Sequence, residues 1–255
     1  MTDHAAAAPL ELAVSTLGAG PPLVVLHGLL GRARNWLTVA RNLQERRTVL
    51  LADLRNHGAS PWSDTMSYAA MAADVASLIE RQAGGRAAVL GHSMGGKAAL
   101  ALALVRPELV ERLILVDIAP VDYGEGQGYA RYIRAMQAVD LAAVSKRADV
   151  DAGLAPAVPE ASMRGFLLQN LGTGQGRFAW QPNLAVLLRA MDAITGFPDG
   201  LAAGRTYDGP SFCLRGERSD YVGPEGEAAL RRCLPRVEVL TVPGAGHWPH
   251  AEKPA

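Results

Sequence analysis

Gly91-His92-Ser93-Met94-Gly95-Gly96 lies between a short apolar run at 87–90 and an alanine- and leucine-rich stretch at 94–105 that stops before Pro107. No other feature of the chain narrows its fold as much. The first run reads as a buried strand and the second as a helix. A serine at so sharp a junction is held in a strained conformation that projects its hydroxyl from the end of a sheet. Glycines two residues before and after the serine, Gly91 and Gly95, remove side chains that would collide in such a turn. The following helix aims its first amides, and the positive end of its dipole, at charge developing beside the serine. Ser93 is the candidate nucleophile, and the Met94 N–H a candidate donor to an oxyanion.

The runs at 22–27, 48–53, 87–90 and 113–117 have the continuous apolar character of parallel strands buried on both faces. Helical patterns separate them: Met71, Val75, Leu78 and Ile79 recur three and four apart. Strand, helix, strand implies right-handed crossovers and an α/β architecture with a mostly parallel, doubly wound sheet. Strands resume at 210–214 and 237–242. Between them and the first set, helix-like pieces at 129–139, 159–170 and 183–194 are punctuated by Gly124 to Gly128 and Gly172 to Gly176, with no strand-like run. Such an insertion would lie over the carboxyl ends of the strands, where sheets of this kind bind ligands. The expected organisation is a core at 1–118, an all-helical cap at 119–206 and a second core segment at 207–255.

Composition narrows the partners. Twenty-five basic side chains balance twenty-five acidic ones, so no net field draws the chain to nucleic acid or an anionic membrane. Small residues at the N-terminus do not form a secretory signal, and the apolar runs are too short to cross a bilayer. A soluble, cytoplasmic protein is expected, with a small-molecule partner. Cys213 and Cys233 form neither a CxxC pair nor a disulfide framework and read as reduced packing residues. No His and carboxylate cluster has metal-ligand spacing, and the glycines at 91–96 lack the pattern of a phosphate loop, so neither metal nor cofactor is expected.

A serine nucleophile needs a base, an acid and a second amide. His27-Gly28-Leu29-Leu30-Gly31 ends the first of these strands and can turn back toward Ser93, which makes the Leu29 N–H the second oxyanion candidate, with His27 bracing the loop. Pro243-Gly244-Ala245-Gly246-His247 follows the last strand, and His247 is the natural base. His250 lies beyond Pro249 and would have to reach back. His92 and Lys97 read as packing or solvated neighbours. Two carboxylates could orient the base. Asp117 ends its strand beside the nucleophile. Asp220 lies in the loop after the next strand, one residue later than the usual Gly-x-x-Asp spacing from Gly216, which falls on Ser219.

These motifs resemble the YbfF-type esterases of the α/β-hydrolase superfamily, a group that includes the α/β-hydrolase domain 11 proteins. The resemblance spans nearly the whole chain and includes Asp53-Leu54-Arg55-Asn56-His57-Gly58, Val116-Asp117-Ile118-Ala119-Pro120, the loop at 215–222 and residues 246–254. In that pattern a carboxylate after the sixth strand serves the histidine and a serine holds the usual acid position. The resemblance therefore implies Ser93, Asp117 and His247, with Ser219 as a polar neighbour and Asp220 as the alternative acid. It also implies hydrolysis of short- to medium-chain acyl esters or thioesters through an acyl-enzyme under a helical cap. Relatives continue into a final helix where this sequence stops at Ala255, from which we expect a less supported His247 loop or a neighbouring subunit over the sheet, as monomer or homodimer.

Competing readings share the fold. Carbon–carbon bond hydrolysis, a menaquinone-pathway lyase reaction and perhydrolysis use related triads, and a ligand-binding pseudo-hydrolase would keep the pocket without turnover. Serine at position 93 argues against haloalkane dehalogenase or epoxide hydrolase chemistry, which needs a carboxylate there. Met136, Met163, Phe166, Leu167, Leu168 and Met191 in the insertion could line an acyl pocket or pack the cap helices together.

Overall fold

A computed structural model of the protein describes residues 8–124, 128–174 and 176–254. Residues 1–7 of the N-terminal tract, residues 125–127 and 175 in the two glycine-rich punctuations, and residue 255 lie outside them.

The main sheet contains β1 (Val14–Leu17), β2 (Pro22–Leu26), β3 (Thr48–Ala52), β4 (Ala87–His92) and β5 (Val110–Val116) from the first part of the chain. A hairpin of β6 (Leu171–Gly174) and β7 (Arg177–Trp180) stands apart from it, and β8 (Ser211–Gly216) and β9 (Val237–Val242) complete it. The order is β1-β3-β2-β4-β5-β8-β9, with β1 antiparallel to β3 and every other pairing parallel. This is the doubly wound sheet expected from the apolar runs. The added strand β1 is only four residues long and half-buried, too short for its pattern to stand out from the surrounding sequence.

Both faces are covered, which is why the central strands are apolar throughout. Helix α1 (Leu37–Leu43) and the turn before it place Trp36 and Ala40 against Val25 and Leu51 on one face. On the other face, α2 (Tyr68–Gln82) and α3 (Met94–Val105) bury Met71, Val75, Ile79 and Leu100 against Val24, Leu26 and Val89. The Ser67 hydroxyl caps α2 by accepting from the Ala70 N–H. Helix α3 ends at Val105, before Pro107, as its sequence dictates.

Between β5 and β8 the cap carries α4 (Tyr129–Ala138), α5 (Arg147–Leu154), α6 (Ala161–Leu168), α7 (Leu184–Arg189), α8 (Met191–Thr195) and α9 (Asp199–Ala202). It is not all-helical. Residues 171–174 and 177–180 pair as an antiparallel hairpin in which Thr173 faces Phe178 and Leu171 faces Trp180. Of the glycines read as a break between helices, Gly172 and Gly174 instead lie in β6, and Gly176, at φ 76°, immediately precedes β7. The flanking β-type residues, Thr173, Phe178 and Trp180, are too few to register as strands by periodicity.

The sheet's last crossover is α10 (Pro224–Cys233), and α11 (Pro249–Glu252) follows the His247 loop. Cys213 and Cys233 are free and buried. Among the described residues no helix is long and apolar enough to cross a membrane, and no cluster of three or more His, Cys, Asp or Glu could hold a metal ion.

Candidate active site

Ser93 is the hinge between β4 and α3, with φ 51° and ψ −121°, in a region that disfavours every residue with a side chain. The turn closes only because its neighbours lack Cβ atoms. A Cβ on Gly91 would lie 2.2 Å from the Gly95 carbonyl oxygen, and one on Gly95 would lie 2.5 Å from that of His27. The Ser93 N–H is anchored on the Val116 carbonyl at 3.1 Å, tying the turn to β5.

The structure brings three of the expected residues together across four strands. His247 Nε2 lies 3.1 Å from Ser93 Oγ, and His247 Nδ1 lies 2.8 Å from Asp117 Oδ2. A carboxylate can only accept, so Nδ1 carries the proton and Nε2 is left to take one from the serine. Asp117 is fully buried at the end of β5, where its Oδ1 accepts from the Gly216 N–H at 2.9 Å and its Oδ2 accepts from the Ser219 hydroxyl. Asp220 is exposed and makes no hydrogen bond to His247 among the described residues. The one-residue displacement seen in its spacing turns it outward, and Ser219 faces inward in its place. The Tyr221 ring stacks on the His247 imidazole with centroids 3.6 Å apart and planes 15° from parallel. Burial pushes the Tyr221 phenol up to about 12, so it stays neutral against the base.

His92 does more than pack. Its Nε2 lies 2.7 Å from the His247 carbonyl oxygen and must be the donor, which pins the His247 backbone to the residue before Ser93. Burial holds its pKa well below the usual histidine value, and the neighbouring imidazoles of His250 and His247 add to the effect. His250 does not reach Ser93; it stacks on Trp36 at 4.1 Å. Lys97 is not solvated. Its ammonium is buried one turn into α3 and donates to the carbonyls of Val121, Thr195 and Gly196 at 2.8, 2.6 and 2.9 Å, tying the start of the cap and the end of α8 to α3. Burial pushes it down to about 7, with Asp122 opposing the shift.

The loop after β2 passes directly over Ser93, since a Cβ on Gly28 would lie 3.2 Å from Ser93 Cβ. Among the described residues neither the Leu29 nor the Met94 N–H has an intrachain partner. Two histidines brace this loop reciprocally. His27 donates from Nδ1 to the Gly28 carbonyl at 2.8 Å and accepts the Leu54 N–H at Nε2, 3.0 Å away. His57, from the loop after β3, donates to the Arg55 carbonyl and accepts the Leu30 N–H at 3.2 Å. Burial, helped by His27, pushes His57 down to about 3, which keeps that acceptor available. Asp53 bridges the same loops by accepting from Ala33 and Ala59 amides at 2.7 and 2.9 Å. A fully buried Arg55–Asp74 pair, joined by two bonds of 2.7 Å, holds the loop after β3 from beneath. The Asp53 to Gly58 motif is thus a scaffold for the loop over Ser93.

Two spaces meet at Ser93. A small apolar one of about 40 Å³ runs beneath the cap past Tyr68, Met94, Ile118 and Ile194. The other passes Tyr129 and Phe166 and leads into an open cleft of about 1020 Å³ lined in part by Arg32, Met163, Trp248 and His250. The apolar residues of the cap therefore divide. Met163 and Phe166 face the cleft, while Met136, Leu167, Leu168 and Met191 are core. The centre offers a buried carboxyl group behind an imidazole that reaches a hydroxyl, with the loop after β2 passing over it, an arrangement suited to acyl transfer.

Residues 23–255 match the family described as the alpha/beta hydrolase family. The chain is 40% identical over 261 residues to sn-1-specific diacylglycerol lipase ABHD11 of Mus musculus, covering 99% of this chain and 84% of that protein. It is 34% identical over 233 residues to esterase YbfF of Escherichia coli (strain K12), covering 91% and 88%. Among solved structures, a marine microorganism esterase superposes with a TM-score of 0.91 at 33% identity, covering 96% of this chain and 95% of that one.

Proposed function

The chain belongs to the α/β-hydrolase family, and from that membership and the geometry around Ser93 we propose that it hydrolyses carboxylic esters or thioesters of short- to medium-chain acids. The observation that carries this reading is the continuous chain of hydrogen bonds from Ser93 through His247 to Asp117, set at a strained turn near two amides that have no partner among the described residues. His247 takes the Ser93 proton as Oγ attacks the acyl carbon, and Asp117 stabilises the resulting imidazolium. The Leu29 and Met94 amides hold the tetrahedral oxyanion. His247 then protonates the leaving alcohol or thiol. Water, deprotonated by the same imidazole, attacks the acyl-enzyme, and collapse returns the proton to Ser93. Ser219 aims Asp117 by donating to it, and acts through the aspartate alone.

The test is steady-state hydrolysis of p-nitrophenyl esters from acetate to palmitate by the natural protein and by Ser93→Ala, Asp117→Asn and Asp220→Asn. Activity peaks at short or medium chains. It falls by roughly 10⁴-fold or more in Ser93→Ala and by a similar order in Asp117→Asn, and stays within about twofold in Asp220→Asn. Equal loss in the two asparagine variants, or hydrolysis that survives Ser93→Ala, would refute the assignment.

A further inference from the structure

Leu30, next to the proposed oxyanion donor Leu29, is a bulky residue in the left-handed region with φ 56°. Such a conformation persists only when the surroundings over-determine it. Both polar groups of Leu30 are captured, and from opposite sides. Its N–H is held by His57 Nε2 in the core, and its carbonyl accepts from Asn170 Nδ2 of the cap at 2.7 Å. Asn170 is 140 residues away in sequence and 1% exposed. Its backbone is itself fixed, donating to the Leu167 carbonyl at the end of α6 and accepting from the Gln181 N–H at the base of the hairpin.

The other half of the Asn170 amide explains why the contact is informative. Its Oδ1 is buried with no hydrogen-bond partner among the described residues. A buried acceptor left unpaired works against folding, so the side chain is not accounted for by fit alone. What it contributes is the Nδ2 donor. The adjacent Gln169 extends the junction, its carbonyl accepting from the Arg32 guanidinium at 2.9 Å and its side chain from the Asn35 amide.

We propose that Asn170 is a positioning residue that couples the cap to the loop over Ser93. With the cap seated, Asn170 and His57 hold Leu30 in its strained conformation and so aim the Leu29 N–H at the reacting carbonyl. When the cap lifts, the Leu30 carbonyl loses its donor and the amide loses its aim. Seating the cap and completing the oxyanion site are then one event. This rests on the reading that Ser93 is the nucleophile and Leu29 an oxyanion donor.

The test uses Asn170→Leu, nearly the same size and without the donor. The substitution frees the Leu30 carbonyl of its partner but also removes an unpaired acceptor, so the two effects on folding oppose each other and the thermal midpoint moves little. The expected result is a fall in kcat on the order of 10- to 100-fold with KM within about twofold, at every acyl length. Affinity for a trifluoromethyl ketone, which forms a tetrahedral oxyanion on the serine, weakens in parallel with kcat/KM. Should the leucine variant not fold, Asn170→Ala is measured in the same way. An active natural protein whose folded variant keeps its kcat, or loses only KM, overturns the coupling while leaving the esterase reading intact. A natural protein that hydrolyses no ester and is indistinguishable from Ser93→Ala overturns both.

Discussion

Among the described residues, Leu30, Asn56, Ser93 and Asp117 hold positive φ without being glycine, and each follows the carboxyl end of a strand, β2, β3, β4 and β5 in turn. Strain of about 1–3 kcal/mol per residue is sustained only where neighbours impose it, and here the strained residues are Ser93, Asp117 and one in each of the two loops beside them. The Ser93 turn was legible because its requirements are local: two glycines, a strand before and a helix after. Asp117 and Asp220 could not be separated by the residues alone, since the choice depends on which strand end faces His247. The family resemblance favoured Asp117, the carboxylate that lies against His247. Ser219→Ala tests the support behind it. Losing one neutral donor to a carboxylate that keeps its Gly216 amide should lower kcat by about tenfold, with KM unchanged. A loss as large as that of Asp117→Asn would mean that the hydroxyl takes part in the chemistry itself.

At the scale of elements, the site exists because β4 and α3 meet with almost no space between them. Gly91→Ala places a methyl group 2.2 Å from a backbone oxygen that cannot move without displacing α3, and the prediction is a loss of soluble folded protein or a destabilisation above about 3 kcal/mol. Gly165 is the contrasting case. It lies inside α6 with nothing within 4 Å of its Cβ position, so Gly165→Ala should raise stability by about 0.5–1 kcal/mol in urea unfolding. Periodicity revealed α3 to its last residue and all the central strands, because burial on one or both faces writes a pattern into sequence. It did not reveal the cap hairpin, whose four-residue strands carry too few side chains for a period. The work of His92, Lys97 and Asn170 was equally illegible. Each binds a backbone carbonyl distant in sequence, and such a partner leaves no trace in the local pattern.

Over the whole molecule, neutral buried histidines link stability to pH. Burial pushes His57 down to about 3 and His250 to about 4, so both remain neutral in the native protein where an unfolded chain, titrating near 6.5, takes up protons. Below pH 6.5 the unfolded state binds more protons than the native one, and stability falls as pH drops toward 4. Between pH 6.5 and 5 each such histidine contributes a loss on the order of 2 kcal/mol, visible as a lower urea midpoint. His250→Phe should flatten part of that slope while keeping the stack on Trp36, because the His250 Nδ1 has no partner among the described residues to lose. An unchanged slope would place the titration elsewhere.

The central claim is that Ser93 forms a covalent acyl-enzyme, and the most direct measurement is active-site labelling with a fluorophosphonate followed by intact mass and peptide mapping. The account predicts one adduct per chain, located on Ser93, formed quickly in the natural protein, absent from Ser93→Ala and strongly slowed in Asp117→Asn. No adduct on the natural protein, or one that persists in Ser93→Ala, would contradict it.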